Sequence, residues 1–206
     1  MLTIEQCLVT GWEAAIRGMR NPLNSWDKSD SHFENQDVVL GQRDKNLMRS
    51  LVAAGSDHRK FLRYLTVTCD VTAPLYWWKE YDTYKVGTVA NSCSTMHKIA
   101  AKPFTLEDFS HEHLTQTSLA CLQATIAQLN ASRETYLQTK DKADWWQMIQ
   151  LLPSAYQQKR TLLLNYEVLR NIYFARRNHK LDEWHTFCDA IAALPYGELI
   201  TAGEAK

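Results

Sequence analysis

The groups of this chain best suited to grip an anion are a hydroxyl-rich run and a short basic cluster. The run from Thr83 to Thr95 offers an ammonium at Lys85 and hydroxyl donors at Thr88, Ser92, Ser94 and Thr95. Gly87, within it, has no Cβ and lets backbone approach a ligand closely. Upstream, Arg59, Lys60 and Arg63 form a basic triplet. It reads either as a solvated charged face ahead of a strand or as a second phosphate contact. His111 and His113 could chelate a metal, but two histidines on a polar connector without a paired acidic cluster are the pattern of a surface, so no metal is expected. Cys93 has no recognisable base in sequence reach, and reads as a small buried residue rather than a nucleophile.

Composition bounds what such groups can serve. With 206 residues and 45% hydrophobic composition the chain can bury one sizeable core, so a single domain spanning 1–206 is expected. Lys and Arg total 23, as do Asp and Glu, which leaves no global field for nucleic acid; an anionic ligand has to be held locally. The first twenty residues carry Glu5 and Glu13 and no long apolar run, so neither a leader nor a membrane span is expected, and the address is cytoplasmic. Five scattered cysteines with no C-x-x-C pair argue against a disulfide framework or structural zinc. Seven Trp and nine Tyr, with Trp77-Trp78 and Trp145-Trp146 adjacent, suit interfaces and planar ligands, or a core.

These residues need elements to hold them. Thr3 with Gln6 reads as a capping box, and Ile4, Leu8, Trp12, Ile16 and Met19 recur at helical spacing, which predicts a first helix to about Arg20. Asn21 to His32 is rich in Asn, Ser, Asp and Pro, a long polar loop with donors to spare. A helix is expected from about Gln42 to Ala54, stopped by Gly55. Leu65, Val67, Cys69 and Val71 alternate with polar residues, the clearest strand, and a short aromatic helix from Leu75 to Tyr81 follows Pro74. Beyond Pro103 the pattern is helical over Ser118 to Leu137, Lys142 to Leu152, Ser154 to Ala175 and Leu181 to Leu194. The fold class is α+β, helix-dominated, around a small sheet.

Two segments carry a resemblance. Asp57 to Met96 resembles the core of the flavin-dependent thymidylate synthases, which show a Gly-His segment, a strand ending in Ala-Pro, a short helix, and then R-H-R-x-x-S-x-N-E-x-S-x-R-Y. Here His58 matches the histidine, Ala73-Pro74 the strand end, and the signature falls without a gap on Thr83 to Met96. The family's later L-P and N-A-R-S-L-x-N-x-x-x-x-R are echoed by Leu152-Pro153 and by Asn165, Leu169, Asn171 and Arg176 in register. Each motif alone is weak; the two in the right order cover about half of the chain.

The resemblance implies reductive methylation of dUMP with FAD, methylenetetrahydrofolate as one-carbon donor and NAD(P)H as reductant, in a cytoplasmic homotetramer. It implies catalytic roles for Arg176, lying against the uracil, and for Thr88, which keeps the hydroxyl of the signature serine. Flavin binding would fall to His58, Lys60, Arg63, Tyr84, Lys85, Asn91, Asn165 and Asn171. Substrate binding would fall to Thr83, Lys85, Thr88, Ser92, Cys93, Thr95 and Arg176. The sequence departs most where the family grips phosphate: Thr83, Lys85 and Thr95 replace three arginines, Tyr84 replaces a histidine, and Glu167 stands for an arginine. Three readings follow: thymidylate synthesis, another pyrimidine modification such as hydroxymethylation, or a binding protein without catalysis.

Overall fold

The computed structural model describes residues 2–35 and 37–203. Strand β1 (Thr3–Thr10) leads to helix α1 (Trp12–Arg20), then a hairpin of β2 (His32–Glu34) and β3 (Asp37–Val39), helix α2 (Gln42–Ala53) and strand β4 (Thr66–Pro74). Helix α3 (Leu75–Tyr81), strand β5 (Val89–Ser92) and helices α4 (Thr95–Lys98), α5 (Gln116–Thr139) and α6 (Lys142–Leu151) come next. Strand β6 (Gln157–Asn165) and helices α7 (Tyr166–Arg176), α8 (Asp182–Ala192) and α9 (Glu198–Thr201) complete the chain. The four-stranded sheet has the order β1-β4-β6-β5; β2 and β3 pair antiparallel, Phe33 opposite Val38. The α+β, helix-dominated expectation is met.

Two compact units interleave along the sequence: 2–3, Val71–Thr83 and Asn91–Thr161 in the first, and Ile4–Asp70, Tyr84–Ala90 and 162–203 in the second. The first unit has a core of Ile99, Phe104, Phe109, Leu122, Ile126, Leu129 and Met148. α5 and α6 supply four of its seven members and α3 adds the buried ring cluster Trp77, Trp78 and Tyr81, with Trp77 and Tyr81 stacked at 5.3 Å. In the second unit α7 packs against α8, α9 and the helical turn Lys60–Arg63. The Trp77-Trp78 pair is therefore core, 0% and 1% exposed, and takes no part in a surface; Trp146 is 40% exposed.

Two expected helices are corrected. The segment Thr3–Thr10 is a strand, and the helix begins only at Trp12. Gly11 makes the break: its φ is +90° and a Cβ there would stand 1.9 Å from the Tyr64 carbonyl oxygen. The helical spacing of Ile4 and Leu8 arises because neither lies in a buried stripe; Leu8 is 59% exposed on an edge strand. Likewise Ser154 to Ala175 divides into β6 and α7. Asn165 is the boundary, its Oδ1 accepting from the Val168 N–H at 3.0 Å as the N-cap of α7.

Candidate functional site

Helix α7 carries Arg176 in its last turn. Its Nε donates to the Tyr84 hydroxyl at 2.9 Å, and its guanidinium lies 4.8 Å from the Trp184 ring centroid and 5.6 Å from that of Tyr84. Trp184 is fully buried and meets Tyr84 edge-on at 6.1 Å, so two rings aim a half-buried cation. Arg177, next in sequence, is exposed and lies over Phe174. Thr88 donates its hydroxyl to the Tyr84 carbonyl, closing a turn around Gly87, whose φ is +74°. A Cβ on Gly87 would come within 3.1 Å of Val168 and 3.3 Å of the Asn165 amide nitrogen, so this turn rests against the N-terminus of α7. Tyr84, Thr88, Asn165 and Arg176 are thereby brought together. Asn171 is exposed on α7, and Lys85 is exposed beside Tyr84.

His58 and Lys60 line a cavity of about 790 Å³ in the second unit, with Lys28, Arg43, Tyr64 and Phe61 among its other walls. Its charged lining is mostly cationic, fitted to an anion with an apolar body. Arg63 is exposed on the same helical turn and is not among the lining residues. Arg59 corrects the idea of a basic triplet acting on one phosphate. It is 6% exposed and its Nε bonds Glu167 at 3.1 Å. Its charge is spent inside the fold.

The loop with donors to spare is also corrected, because a side chain of the protein takes them. Asp44, fully buried in α2, accepts from the hydroxyls of Ser29 at 2.7 Å and Ser31 at 2.6 Å, and from the Arg20 Nε at 2.8 Å. Burial works to raise its carboxyl, but the bonds from Ser31, Ser29 and Arg20 and the Arg20 charge outweigh that and hold it below the usual range. Asp30 caps α2 from outside, accepting from the Arg43 and Asp44 N–H groups at 2.9 and 3.1 Å.

In the first unit, the Thr83 hydroxyl bonds the Glu80 carbonyl at 2.8 Å. Asn91, Ser92 and Cys93 are exposed, so the reading of Cys93 as buried is overturned; it follows an edge strand, where a small side chain need not face a core. Thr95 opens α4, with Ser94 as N-cap to the His97 N–H at 3.1 Å. Arg160, unremarked in the sequence, ties this region: it bonds Asp82 at 2.7 Å and Gln158 at 3.0 Å, and lies 4.2 Å from the Trp78 ring. Gln158 in turn donates to the Cys93 carbonyl at 3.0 Å. His111 bonds the Phe109 carbonyl through Nδ1, and no cluster of three His, Cys, Asp or Glu able to hold a metal occurs among the described residues.

The arrangement has solved counterparts. Thymidylate synthase X (ThyX) from Helicobacter pylori, crystallised with FAD and dUMP, superposes with a TM-score of 0.68 at 16% identity, over 97% of this chain and 96% of that one. The fold is that of the flavin-dependent thymidylate synthases. A second H. pylori ThyX structure complexed with FAD and dUMP gives 0.68 at 17% identity over 95% of each chain. The UMP/dUMP methylase PolB from Streptomyces cacaoi, bound with 5-Br dUMP, gives 0.63 at 13% identity over 100% and 97%. No family model and no curated protein sequence matches the chain.

The thymidylate synthase fold accounts for the legible part of the site: the strand ending at Pro74, the short helix α3 and the helix bearing Arg176 all stand where the two motifs imply. Three basic residues that the sequence reading did not single out, Lys28, Arg43 and Arg160, stand in these surroundings. The first two could have been found as basic residues within the polar loop and in the first turn of α2, whereas Arg160 lay in a stretch read as helix. Among the described residues no helix is long and apolar enough to cross a membrane.

Proposed function

We propose that the chain is a flavin-dependent enzyme that modifies a uridine nucleotide, in the first instance a thymidylate synthase-type methyltransferase acting on dUMP with FAD, methylenetetrahydrofolate and NAD(P)H. The observation that carries the reading is Arg176. It is aimed by Tyr84 and Trp184 in a chain with the thymidylate synthase fold, at the position where the motif asks for a cation beside a pyrimidine. A guanidinium so held, with little freedom left to lose, favours negative charge developing on a ring carbonyl. Thr88 closes the turn that presents Tyr84.

The residues present fit the cofactor. Lys28, Arg43, Lys60 and His58 around one cavity suit its pyrophosphate, and Tyr64 and Phe61 suit a planar ring. When bound, the flavin would supply the redox chemistry, while this chain supplies binding, orientation and charge. Arg63, Lys85 and Asn91 remain candidates for its outer contacts, and Asn165 and Asn171 for its amide contacts. Thr83, Ser92, Cys93 and Thr95 remain candidates for the nucleotide. We place the whole chain, 1–206, as one catalytic domain of a cytoplasmic homotetramer. The exchange of signature arginines for Thr83, Lys85 and Thr95 favours a second reading, another pyrimidine modification such as hydroxymethylation, because the phosphate grip has been rewritten.

The test is to purify the protein, record its visible spectrum, and assay it with UMP and dUMP, a folate donor and NAD(P)H. A yellow protein that alkylates either nucleotide supports the reading. A colourless protein that takes up no FAD in titration overturns it.

A further inference from the structure

Two cysteines face each other across the sheet. Strand β1 is the edge neighbour of β4. The hydroxyls of Thr10 and Thr66 meet at 2.8 Å, which fixes the pairing there. Counting three residues back along β1 and three forward along β4, as antiparallel strands pair, reaches Cys7 and Cys69, which line the same small cavity. In the antiparallel register that the Thr10–Thr66 contact and the shared cavity point to, the two are direct cross-strand partners. Such partners have Cβ atoms about 4.5–5.5 Å apart, and a disulfide needs about 3.5–4.5 Å, so a closing movement of roughly 1 Å suffices. Cys7 is exposed and Cys69 only 5% exposed; both line one small cavity with Val67, Leu164 and Phe187.

We propose that Cys7 and Cys69 form a redox-active dithiol that closes to a disulfide when the protein meets a hydroperoxide. Exposure assigns the roles. The Cys7 sulfur attacks one peroxide oxygen, the O–O bond breaks, and Cys7 becomes a sulfenic acid as the first water leaves. The Cys69 sulfur then attacks the Cys7 sulfur, the S–S bond forms, the S–O bond breaks, and a second water departs with the remaining proton. The two thiols lose two electrons and hydrogen peroxide is reduced to two waters.

The surroundings set the tempo. Burial pushes the Cys7 thiol up, with a hydrogen bond from Cys69 partly offsetting it, and burial with the neighbouring Cys7 and Asp70 pushes Cys69 up to about 12. Few thiolates are then present, so closure is slow; equally, a poor leaving group makes the finished bond resist exchange. The pair responds to sustained oxidation and holds its state.

Treatment of the intact protein with hydrogen peroxide, followed by alkylation and peptide mapping, decides it. The expected result is a Cys7–Cys69 linked peptide, two hydrogens lighter than the sum of its parts, and a Tm raised by roughly 10 °C because the bond closes a long loop. Cys69→Ala should stop at a Cys7 sulfenic acid that dimedone traps, and Cys7→Ala should leave Cys69 unmodified. If the treated wild type carries Cys7 and Cys69 as separate alkylated or overoxidised residues, or joins Cys93 or Cys121 instead, the proposal fails, whether or not the variants fold.

Discussion

Arg176 and Arg177 are neighbours with one chemistry and two surroundings. The first is held by a phenol and a buried indole, the second lies exposed over Phe174. Arg176→Ala should therefore lower turnover of the uridine nucleotide about a hundredfold, on the order of 3 kcal/mol, with little change in flavin affinity, while Arg177→Ala should stay within about twofold. Steady-state kinetics alongside flavin titration on both variants checks this; equal losses would remove Arg176 from the chemistry. Asp44 gives a pH signature. Its folded carboxyl is held low, so its stabilising contribution is complete above the unfolded value of about 3.9 and is lost as pH falls through the lower folded value. Asp44→Asn should lower Tm at neutral pH and flatten the acid limb of Tm against pH. Arg176 was singled out in the sequence because one motif and one helical register pointed to it. Asp44 was not, because its partners come from a loop whose donors looked equally ready for a ligand.

At the scale of elements, the helices α2, α3, α5, α6 and α8 could be read to within about two residues, since each has a run of helix formers and a stop signal. Strands β1 and β6 could not. β1 is an edge strand whose burial does not alternate, and β6 holds the run Leu162-Leu163-Leu164, whose residues favour helices in isolation but here meet strand partners. Two substitutions test what sets these boundaries. Gly11→Ala forces a Cβ onto the Tyr64 carbonyl at positive φ, and should cost about 2 kcal/mol or more, read as a Tm fall of roughly 5 °C or greater. At Asn165, Asp keeps the side-chain oxygen that caps α7 but removes the amide donor. Asn165→Ala should cost about 1 kcal/mol in denaturant titration. Asn165→Asp should keep stability while weakening flavin binding if the amide serves the cofactor, and unchanged binding in Asp would confine Asn165 to capping.

For the molecule as a whole, the aromatic richness divides between purposes. Trp77, Trp78 and Tyr81 fill the first unit, and Trp184, Trp12 and Tyr166 the second, while Trp26, Tyr64 and Trp146 are exposed. Four of the exposed apolar side chains, Leu114, Leu137, Trp146 and Leu151, lie on or beside the α5 and α6 helices, while others such as Leu8, Leu23 and Val86 lie elsewhere. The proposed homotetramer is expected to use the α5 and α6 face, where Trp146 stands exposed, rather than the buried pair Trp77-Trp78. Light scattering should give the mass of four chains, and Trp146→Glu should shift it toward smaller species; a monomer at micromolar concentration would refute it.

The buried pair of Arg59 and Glu167 bears on how far the flavin-dependent motif could be rebuilt in this chain. Glu167 occupies the position where the flavin-dependent motif carries arginine, and it now neutralises a cation that is 6% exposed. Restoring arginine there alone would set two guanidinium groups against each other away from water, a change worth about 3–5 kcal/mol against folding. Replacing Arg59 alone would strand the carboxylate. Bringing position 167 to the motif is therefore blocked one step at a time and open only to paired exchange. The two residues thus interlock, and neither can be exchanged alone without leaving a buried charge unmatched.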